Sequence, residues 1–194
     1  MAAALLALMD ERDGQVTPDD LAAYRVAWLD PVEAPYAGVR VQSRGGLSRL
    51  VDTLAALPPL RDAPPGDRAL AFARVLAAPL YSGRTYEHTT NLSVVDRDGN
   101  ACVLTTSLGL GSGDFLPGYD MHLNSMLGES DLLVGPHEAG ARMASMMSPT
   151  VAVDDDGLVI AAGAAGGTRL RPALARWPEG SADGPGLAAP GARR

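Results

Sequence analysis

The middle of the chain reads Thr89-Thr90-Asn91-Leu92-Ser93-Val94-Val95-Asp96-Arg97-Asp98-Gly99-Asn100-Ala101. Runs rich in β-branched and other apolar residues, 91–96 and 101–107, lie on either side of a group of Asp, Gly and Asn residues. Such a group favours the tight turn of a β-hairpin, and the flanking runs favour strands. The stretch therefore predicts two antiparallel strands joined by a turn, with a Thr-Thr pair at the start of the first strand.

A second hairpin is predicted downstream, where runs at 150–153 and 158–162 flank the turn sequence Asp154-Asp155-Asp156-Gly157. Upstream segments carry other local signals: helices at 15–26, 47–57 and 67–78, a short strand at 39–42 and an exposed connector at 79–88. The predicted fold class is α+β, with helices first and paired antiparallel strands after them.

Length, charge and cysteine content exclude several classes of partner and site. The chain has 194 residues, which suggests one domain or at most two. A net charge of −7 and a pI near 4.8 argue against nucleic acid or an anionic membrane surface as a partner. The single cysteine, Cys102, excludes an intrachain disulfide and a cysteine-based metal site, and we predict neither a metal nor a cofactor.

The sequence gives little information about the cellular compartment. No apolar run approaches the roughly 18 residues of a membrane span. The first nine residues are apolar but lack a basic start, which fits the tail of a buried helix better than a signal peptide. The compartment therefore stays open: cytoplasmic or, if the start is missing, exported.

The pair Thr89-Thr90 is the first candidate for catalysis. A threonine freed at a chain N-terminus carries its own general base in the α-amino group, which activates the otherwise weak hydroxyl nucleophile. That chemistry needs a cleavable bond before the threonine, here His88–Thr89. The alternative is a pair of β-branched residues that only starts a strand.

Three further segments carry groups that a catalytic or binding site could use. Gly166-Gly167 follows the second hairpin and can aim backbone N–H groups into a cleft, as an oxyanion hole requires, or form a plain turn. The loop at 145–150 is rich in hydroxyl groups and can bind a carboxylate, or fill the edge of a core with its methionines. The segment at 123–129 places the amide of Asn124 near the carboxylate of Glu129, as a binding site could use. The alternative is that Glu129 is an ordinary solvated surface charge.

Taken in order, these blocks resemble the γ-glutamyltransferase family of N-terminal-nucleophile hydrolases, over residues from about 14 to 174. The family pattern is a Thr-Thr pair followed by Ser-Val-Val-Asp and Gly-Asn-Ala. The matching blocks are 16–24, 89–101, 111–113, 123–129, 145–150 and 166–169. The resemblance implies an αββα sandwich of the N-terminal-nucleophile type, incomplete in this chain, and self-cleavage between His88 and Thr89.

The resemblance also implies catalytic roles. Thr89 matches the nucleophile that takes the γ-glutamyl group from glutathione and related amides. Ser107 falls where a hydroxyl group orients that nucleophile, and Gly166 and Gly167 match the glycines of the oxyanion hole. The mechanism implied is acyl transfer to water or to an acceptor amino acid or peptide.

Roles in substrate binding are implied for the two remaining blocks. Glu129 sits where the family has an acid for the α-amino group of the substrate, with Asn124 in the same block. Ser145 and Met146 match a pair that holds the α-carboxylate. The implied substrate is a small γ-glutamyl compound.

The family's subunit organisation gives the expected division of the chain. Residues 1–88 match the C-terminal part of the large subunit and 89–177 the N-terminal part of the small subunit, both cut from one precursor. Residues 178–194 are expected to be a divergent, disordered tail.

Several departures from the family pattern leave rival functions open. Asn91 stands where the family usually has a His, and Met146 stands where it often has a Ser. Gly109 stands where many members have a polar residue that contacts substrate, and Gly45-Gly46 where the family tends to have a segment rich in Pro and Ser. The chain is also much shorter than family members and lacks their carboxylate-binding arginine. The rivals are an acylase for glutaryl-type β-lactam side chains and a remnant without catalytic activity.

Overall fold

The computed structural model describes residues 1–60, 62–77, 89–129, 132, 138, 140–165 and 170–176. The helices in this part are α1 (Ala2–Glu11), α2 (Pro18–Ala23), α3 (Leu50–Ala56), α4 (Pro65–Leu76) and α5 (Leu170–Ala175), with a 3-10 turn at Met126–Gly128. The strands are β1 (Val32–Tyr36), β2 (Val39–Ser43), β3 (Thr89–Val95), β4 (Ala101–Ser107), β5 (Phe115–Leu116), β6 (Met121–His122), β7 (Thr150–Asp154) and β8 (Gly157–Ala162). None of the helices described is long and apolar enough to cross a bilayer.

Four antiparallel strands form the main sheet, in the order β1-β2-β7-β8. The pairing of β2 with β7 aligns Ser43 with Thr150 and so joins the first half of the chain to the second hairpin. One face of this sheet carries the core, where Val41 and Ala152 are 1% and 0% exposed. Helices α3, α4 and α5 add apolar side chains such as Leu54, Phe72 and Leu174 to the same core. The main sheet is thus held by burial of apolar surface.

Strands β3 and β4 form a separate two-stranded sheet, which we call the nucleophile hairpin after the role predicted for Thr89. Its register aligns Thr89 with Ser107 and Val95 with Ala101. Side chains alternate along both strands between a half-buried and an exposed face. The hairpin contacts β7 and β8 of the main sheet. Its turn is closed by Asp96, whose carboxylate accepts hydrogen bonds from the backbone and side chain of Asn100.

The structure confirms the α+β class and both predicted hairpins. The helix predicted at 15–26 is shorter, because α2 ends at Ala23 and Tyr24 has extended backbone angles. Tyr24 and Trp28 are 66% and 92% exposed. Packing against the core therefore does not offset the low helix propensity of the aromatic and β-branched residues that follow Ala23. Strand β1 was not predicted, since Pro35 lies within it and proline is unusual in a strand.

The apolar start of the chain does form a helix, α1. Its only buried residue is Leu8, so it is not the buried helix that its composition indicates. It packs against β5, and Arg12 forms an ion pair with Asp114 over 3.4 Å. The helix therefore covers the loop that follows the nucleophile hairpin.

Candidate active site

Thr89 is the first residue of β3 and lies opposite the last residue of β4. Thr89 Oγ1 donates a hydrogen bond to Ser107 Oγ over 3.3 Å, and the backbone N–H of Gly109 donates to the same oxygen over 3.1 Å. The hairpin register itself brings the two hydroxyl groups together, because Thr89 and Ser107 are cross-strand partners on one face. The structure therefore places two predicted catalytic residues in direct contact.

The half-buried face of the hairpin continues this polar row. Asn91 accepts a hydrogen bond from Thr105 Oγ1 over 2.8 Å and donates one to Ser93 Oγ over 3.1 Å. A Cβ atom on Gly163 would overlap the Asn91 amide, so this glycine allows the hairpin to approach the end of β8. Asn91, which departs from the family's histidine, thus links the nucleophile hairpin to the main sheet.

Gly109 connects this hydroxyl pair to the predicted acid. It is buried with φ +63°, and a Cβ atom there would lie 2.8 Å from Glu129 Oε1 and 2.9 Å from Ser125 Oγ. The Glu129 carboxylate therefore lies against the backbone two residues after Ser107. Ser125 fixes this loop, since its Oγ accepts from Leu110 N over 3.0 Å. The missing side chain at position 109 leaves space that the acid occupies.

Asn124 has a structural contact in the same segment. Its Oδ1 accepts a hydrogen bond from the backbone N–H of Met126 over 3.0 Å, at the start of the 3-10 turn. The side chain is exposed. The side-chain oxygen of Asn124, a residue predicted to bind substrate, therefore accepts a hydrogen bond within the loop that presents Glu129.

The predicted carboxylate-binding pair divides into two environments. Ser145 is half-buried, and its Oγ accepts from Met147 N over 3.1 Å. Met146 is 8% exposed in a small apolar cluster with Leu132. The cluster also includes Leu47, Met126, Met143 and Ala164. The side chain of Met146 is therefore enclosed by apolar groups, which agrees with the alternative that the methionines of this loop fill the edge of a core. The role predicted for Met146 in holding a carboxylate stays a prediction, with its backbone as the polar part.

The same apolar cluster explains why distant blocks of sequence meet. It joins residues near Gly46, Glu129, Ser145 and the segment that leads to Gly166. Strand pairing supports this convergence, since Ser43, Thr150 and Ala162 are aligned at one end of the main sheet. Gly163, next to Ala162, contacts Asn91 of the hairpin. The end of the main sheet and the Thr89 end of the hairpin thus form one region.

Three predicted site residues, His88, Gly166 and Gly167, lie outside the described residues. Sequence reasoning missed the role of Ser43, whose Oγ donates to Pro149 O over 3.0 Å and accepts from Thr150 Oγ1 over 3.2 Å. No local signal marks that contact, because the residues are more than 100 positions apart. Within the described part of the chain, no group of His, Cys, Asp and Glu residues could hold a metal ion.

Comparison with known proteins gives a family match and a structural likeness. A family model described as Gamma-glutamyltranspeptidase matches residues 67–177. The structure is similar to that of cephalosporin acylase from Bacillus halodurans, with a TM-score of 0.66 and 19% sequence identity. That match covers 94% of this chain and 43% of the acylase chain, so this chain spans less than half of its relative's length. A search of curated proteins found no match.

Proposed function

The chain belongs to the γ-glutamyltranspeptidase family, and on this basis we propose that it is an amide hydrolase and acyltransferase with Thr89 as its N-terminal nucleophile. The observation that supports this most is the contact of Thr89 with Ser107 beside Gly109 and Glu129. It joins a hydroxyl nucleophile, a second hydroxyl that orients it, and an acid that can bind an ammonium group.

The first step of the proposed function is maturation. The hydroxyl oxygen of Thr89 attacks the carbonyl carbon of His88, and the peptide bond becomes an ester as the Thr89 nitrogen leaves with a proton. Water hydrolyses that ester, which frees the carboxyl group of His88 and the amino group of Thr89. Ser107 accepts the Thr89 hydroxyl proton in a hydrogen bond and so holds Oγ1 in one orientation. Large and small subunits from one precursor are the expected product.

Turnover uses the amino group that maturation frees. This group accepts the proton of Thr89 Oγ1 while the oxygen attacks the amide carbonyl of the substrate. The amine leaves with that proton, and water or an acceptor amine then releases the acyl group from Thr89. We assign Gly166 and Gly167 to the oxyanion hole, where backbone N–H groups would stabilise the charge on the carbonyl oxygen.

The acyl group that we propose is γ-glutamyl, because it carries an ammonium group that Glu129 can bind. The main alternative is a glutaryl group, which has the carboxylate but no amine. The likeness to a cephalosporin acylase supports that alternative. The third possibility is an inactive remnant that neither cleaves itself nor hydrolyses an amide.

One substrate comparison separates these readings. A hydrogen bond to a charged group contributes about 1.5–3 kcal/mol, so Glu129→Gln should lower kcat/KM for a γ-glutamyl anilide by roughly 10–100-fold. The glutaryl anilide should be hydrolysed by both proteins at similar rates. Glu138→Gln, at an exposed glutamate of the described part, is the matched control. Equal losses on both anilides would assign Glu129 a structural role, and no turnover by the wild type would support the third possibility.

A further inference from the structure

His122 lies in the loop that joins the two halves of the candidate site, although no motif in the sequence marks it. This loop, residues 108–125, runs from the end of β4 to the 3-10 turn. Leu108 O accepts hydrogen bonds from the N–H groups of Gly111 and Ser125, over 3.0 and 2.9 Å. One carbonyl oxygen therefore ties the start of the loop to its end.

The imidazole of His122 contacts three other residues of this loop. It stacks on the Phe115 ring, with the ring centroids 4.6 Å apart and 12° between the planes. It lies against Gly111, where φ is +82° and a Cβ atom would overlap the ring. Its Nε2 accepts a hydrogen bond from the backbone N–H of Gly113 over 3.1 Å. The half-buried ring thus holds the two glycines and the start of β5 in one arrangement.

The contact with Gly113 requires the neutral form of the imidazole. A ring nitrogen accepts a hydrogen bond only through a free lone pair, so Nδ1 carries the single proton of the neutral ring. Protonation of Nε2 would place two N–H groups against each other and break this hydrogen bond. The face of the Phe115 ring attracts a cation and keeps the imidazolium in place, so the Gly113 backbone is the part that moves.

Within the described residues, no ion pair holds His122 in its charged form. Asp114, next to Phe115, is paired with Arg12 of the neighbouring helix α1. The other charged groups on the elements around the ring are Asp120 in the turn between β5 and β6, and Glu11 and the Met1 amino group of α1. The charge of the imidazole therefore follows pH, and histidine changes charge between about pH 5 and 8.

Only a few contacts separate the imidazole from the candidate site. The ring lies against Gly111, which donates its N–H to Leu108 O. The next residue, Gly109, lies against the Glu129 carboxylate and donates its N–H to Ser107 Oγ. A shift of this segment therefore changes the position of both the predicted acid and the predicted orienting hydroxyl group.

We propose that His122 is a positioning residue that makes the site sensitive to pH. Its neutral form holds the 108–125 loop in the arrangement described, with Glu129 against Gly109. Its protonation releases Gly113, loosens the loop and lowers activity. This inference rests on the proposed function, and it adds a group that controls the site without contacting substrate.

Two substitutions separate the hydrogen bond from the ring. His122→Gln supplies a side-chain oxygen that can accept from Gly113 but does not titrate. His122→Phe keeps a ring on Phe115 but has no acceptor at any pH. Asp120→Asn, which removes an exposed titratable group from the same hairpin, is the matched control.

The first measurement is kcat/KM for the γ-glutamyl anilide between about pH 8 and pH 5. Division by the value for His122→Gln removes the titration of the substrate and of the Thr89 amino group. The quotient for the wild type should fall about three- to tenfold as pH decreases, equivalent to one hydrogen bond. His122→Phe should show the lowered quotient at both ends of the range, and Asp120→Asn should follow the wild type.

The second measurement does not require turnover. In NMR spectra of the folded protein, the amide signals of Gly113 and Gly109 should shift together with the His122 ring signal, and stay fixed in His122→Gln. A Gly109 signal that does not follow His122, or a quotient that does not change with pH, would overturn the role of His122. If turnover persists in that case, the proposed function stands. Coupled shifts without turnover of either anilide would keep the response of the loop and refute the proposed function.

Discussion

The main sheet and the nucleophile hairpin are built from similar local sequence but have different interiors. Both contain a hairpin with an aspartate-rich turn, closed by Asp96 in one and by Asp154 in the other. In the main sheet, Val41 and Ala152 are almost fully enclosed by helices. In the nucleophile hairpin no residue of β3 or β4 is fully buried, and the half-buried face carries hydroxyl and amide groups.

This difference indicates how stability and chemistry are divided in the molecule. Apolar burial in the main sheet supplies the free energy of folding. The hairpin contributes little burial and instead presents Thr89, Asn91 and Ser107 on one face. Substitutions in the main sheet should therefore act on stability, and substitutions on the hairpin's polar face on activity.

The largest expected contrast is between two valine substitutions. Val41→Ala removes two buried methyl groups and leaves a cavity, so it should lower the free energy of unfolding by about 2 kcal/mol. Val94→Ala, at a position that is 52% exposed on the hairpin, should change it by less than about 0.5 kcal/mol. Urea denaturation of both variants measures this. Similar losses would mean that the two sheets do not differ in burial as described.

The contact between the two sheets predicts a smaller loss of stability, in which the effects of substitutions at Gly163 and Asn91 depend on each other. Gly163→Ala should destabilise the protein by about 1–2 kcal/mol, because the new Cβ displaces the Asn91 amide from its hydrogen bonds. Asn91→Ala should relieve most of this penalty in the double variant. A double-mutant cycle by denaturation measures the coupling. If the two effects simply add, Gly163 and Asn91 are not in contact.

The contact between Thr89 and Ser107 predicts that Ser107→Ala reduces activity more than stability. Ser107→Ala removes the acceptor for Thr89 Oγ1, so kcat/KM should fall by about tenfold, equivalent to one hydrogen bond. The melting temperature should fall by only a few degrees, because Ser107 is half-buried and its loss removes the acceptor of the Gly109 N–H. Thr106→Ala, on the exposed face of the same strand, is the control. Equal activity of the two variants would contradict the orienting role of Ser107.

The smallest predicted effect is a pH dependence of the hairpin turn. The side chain and backbone N–H of Asn100 hydrogen-bond to Asp96 and hold the pKa of that carboxyl below its usual value. A lowered pKa stabilises the folded state above the unfolded pKa, and that contribution is lost as pH falls below about 4. An NMR titration of the Asp96 carboxyl measures the shift, and Asn100→Ala should raise the pKa. An Asp96 pKa that does not change in Asn100→Ala would show that the side chain of Asn100 does not lower it.

Local sequence was sufficient to predict the two hairpins and the α+β class. Their turns are specified by Asp, Gly and Asn residues within five positions, so no long-range information was needed. The capping box of α2 is equally local, since Thr17 and Asp20 exchange hydrogen bonds three residues apart. The family, too, was indicated by ordered short blocks, and the family model confirms it.

Contacts between distant segments could not be predicted in this way. The pairing of Ser43 with Thr150 and the contact of Gly109 with Glu129 depend on how whole elements pack. Met146 shows that a family match does not determine the environment of a side chain, because this side chain lies in an apolar cluster, as the alternative of a methionine-filled core edge predicts. The roles of Thr89, Ser107, Glu129 and Ser145 and the cut at His88–Thr89 stay predictions.

The mass of the purified, folded chain tests the N-terminal nucleophile most directly. After incubation, the wild type should give two polypeptides, one of which begins at Thr89, in place of a single 20.1 kDa chain. Thr89→Ser should cut more slowly and Thr89→Ala not at all, because the hydroxyl is the attacking group. A folded wild-type protein that keeps its full mass, or a Thr89→Ala variant that is cut at the same bond, would contradict the account.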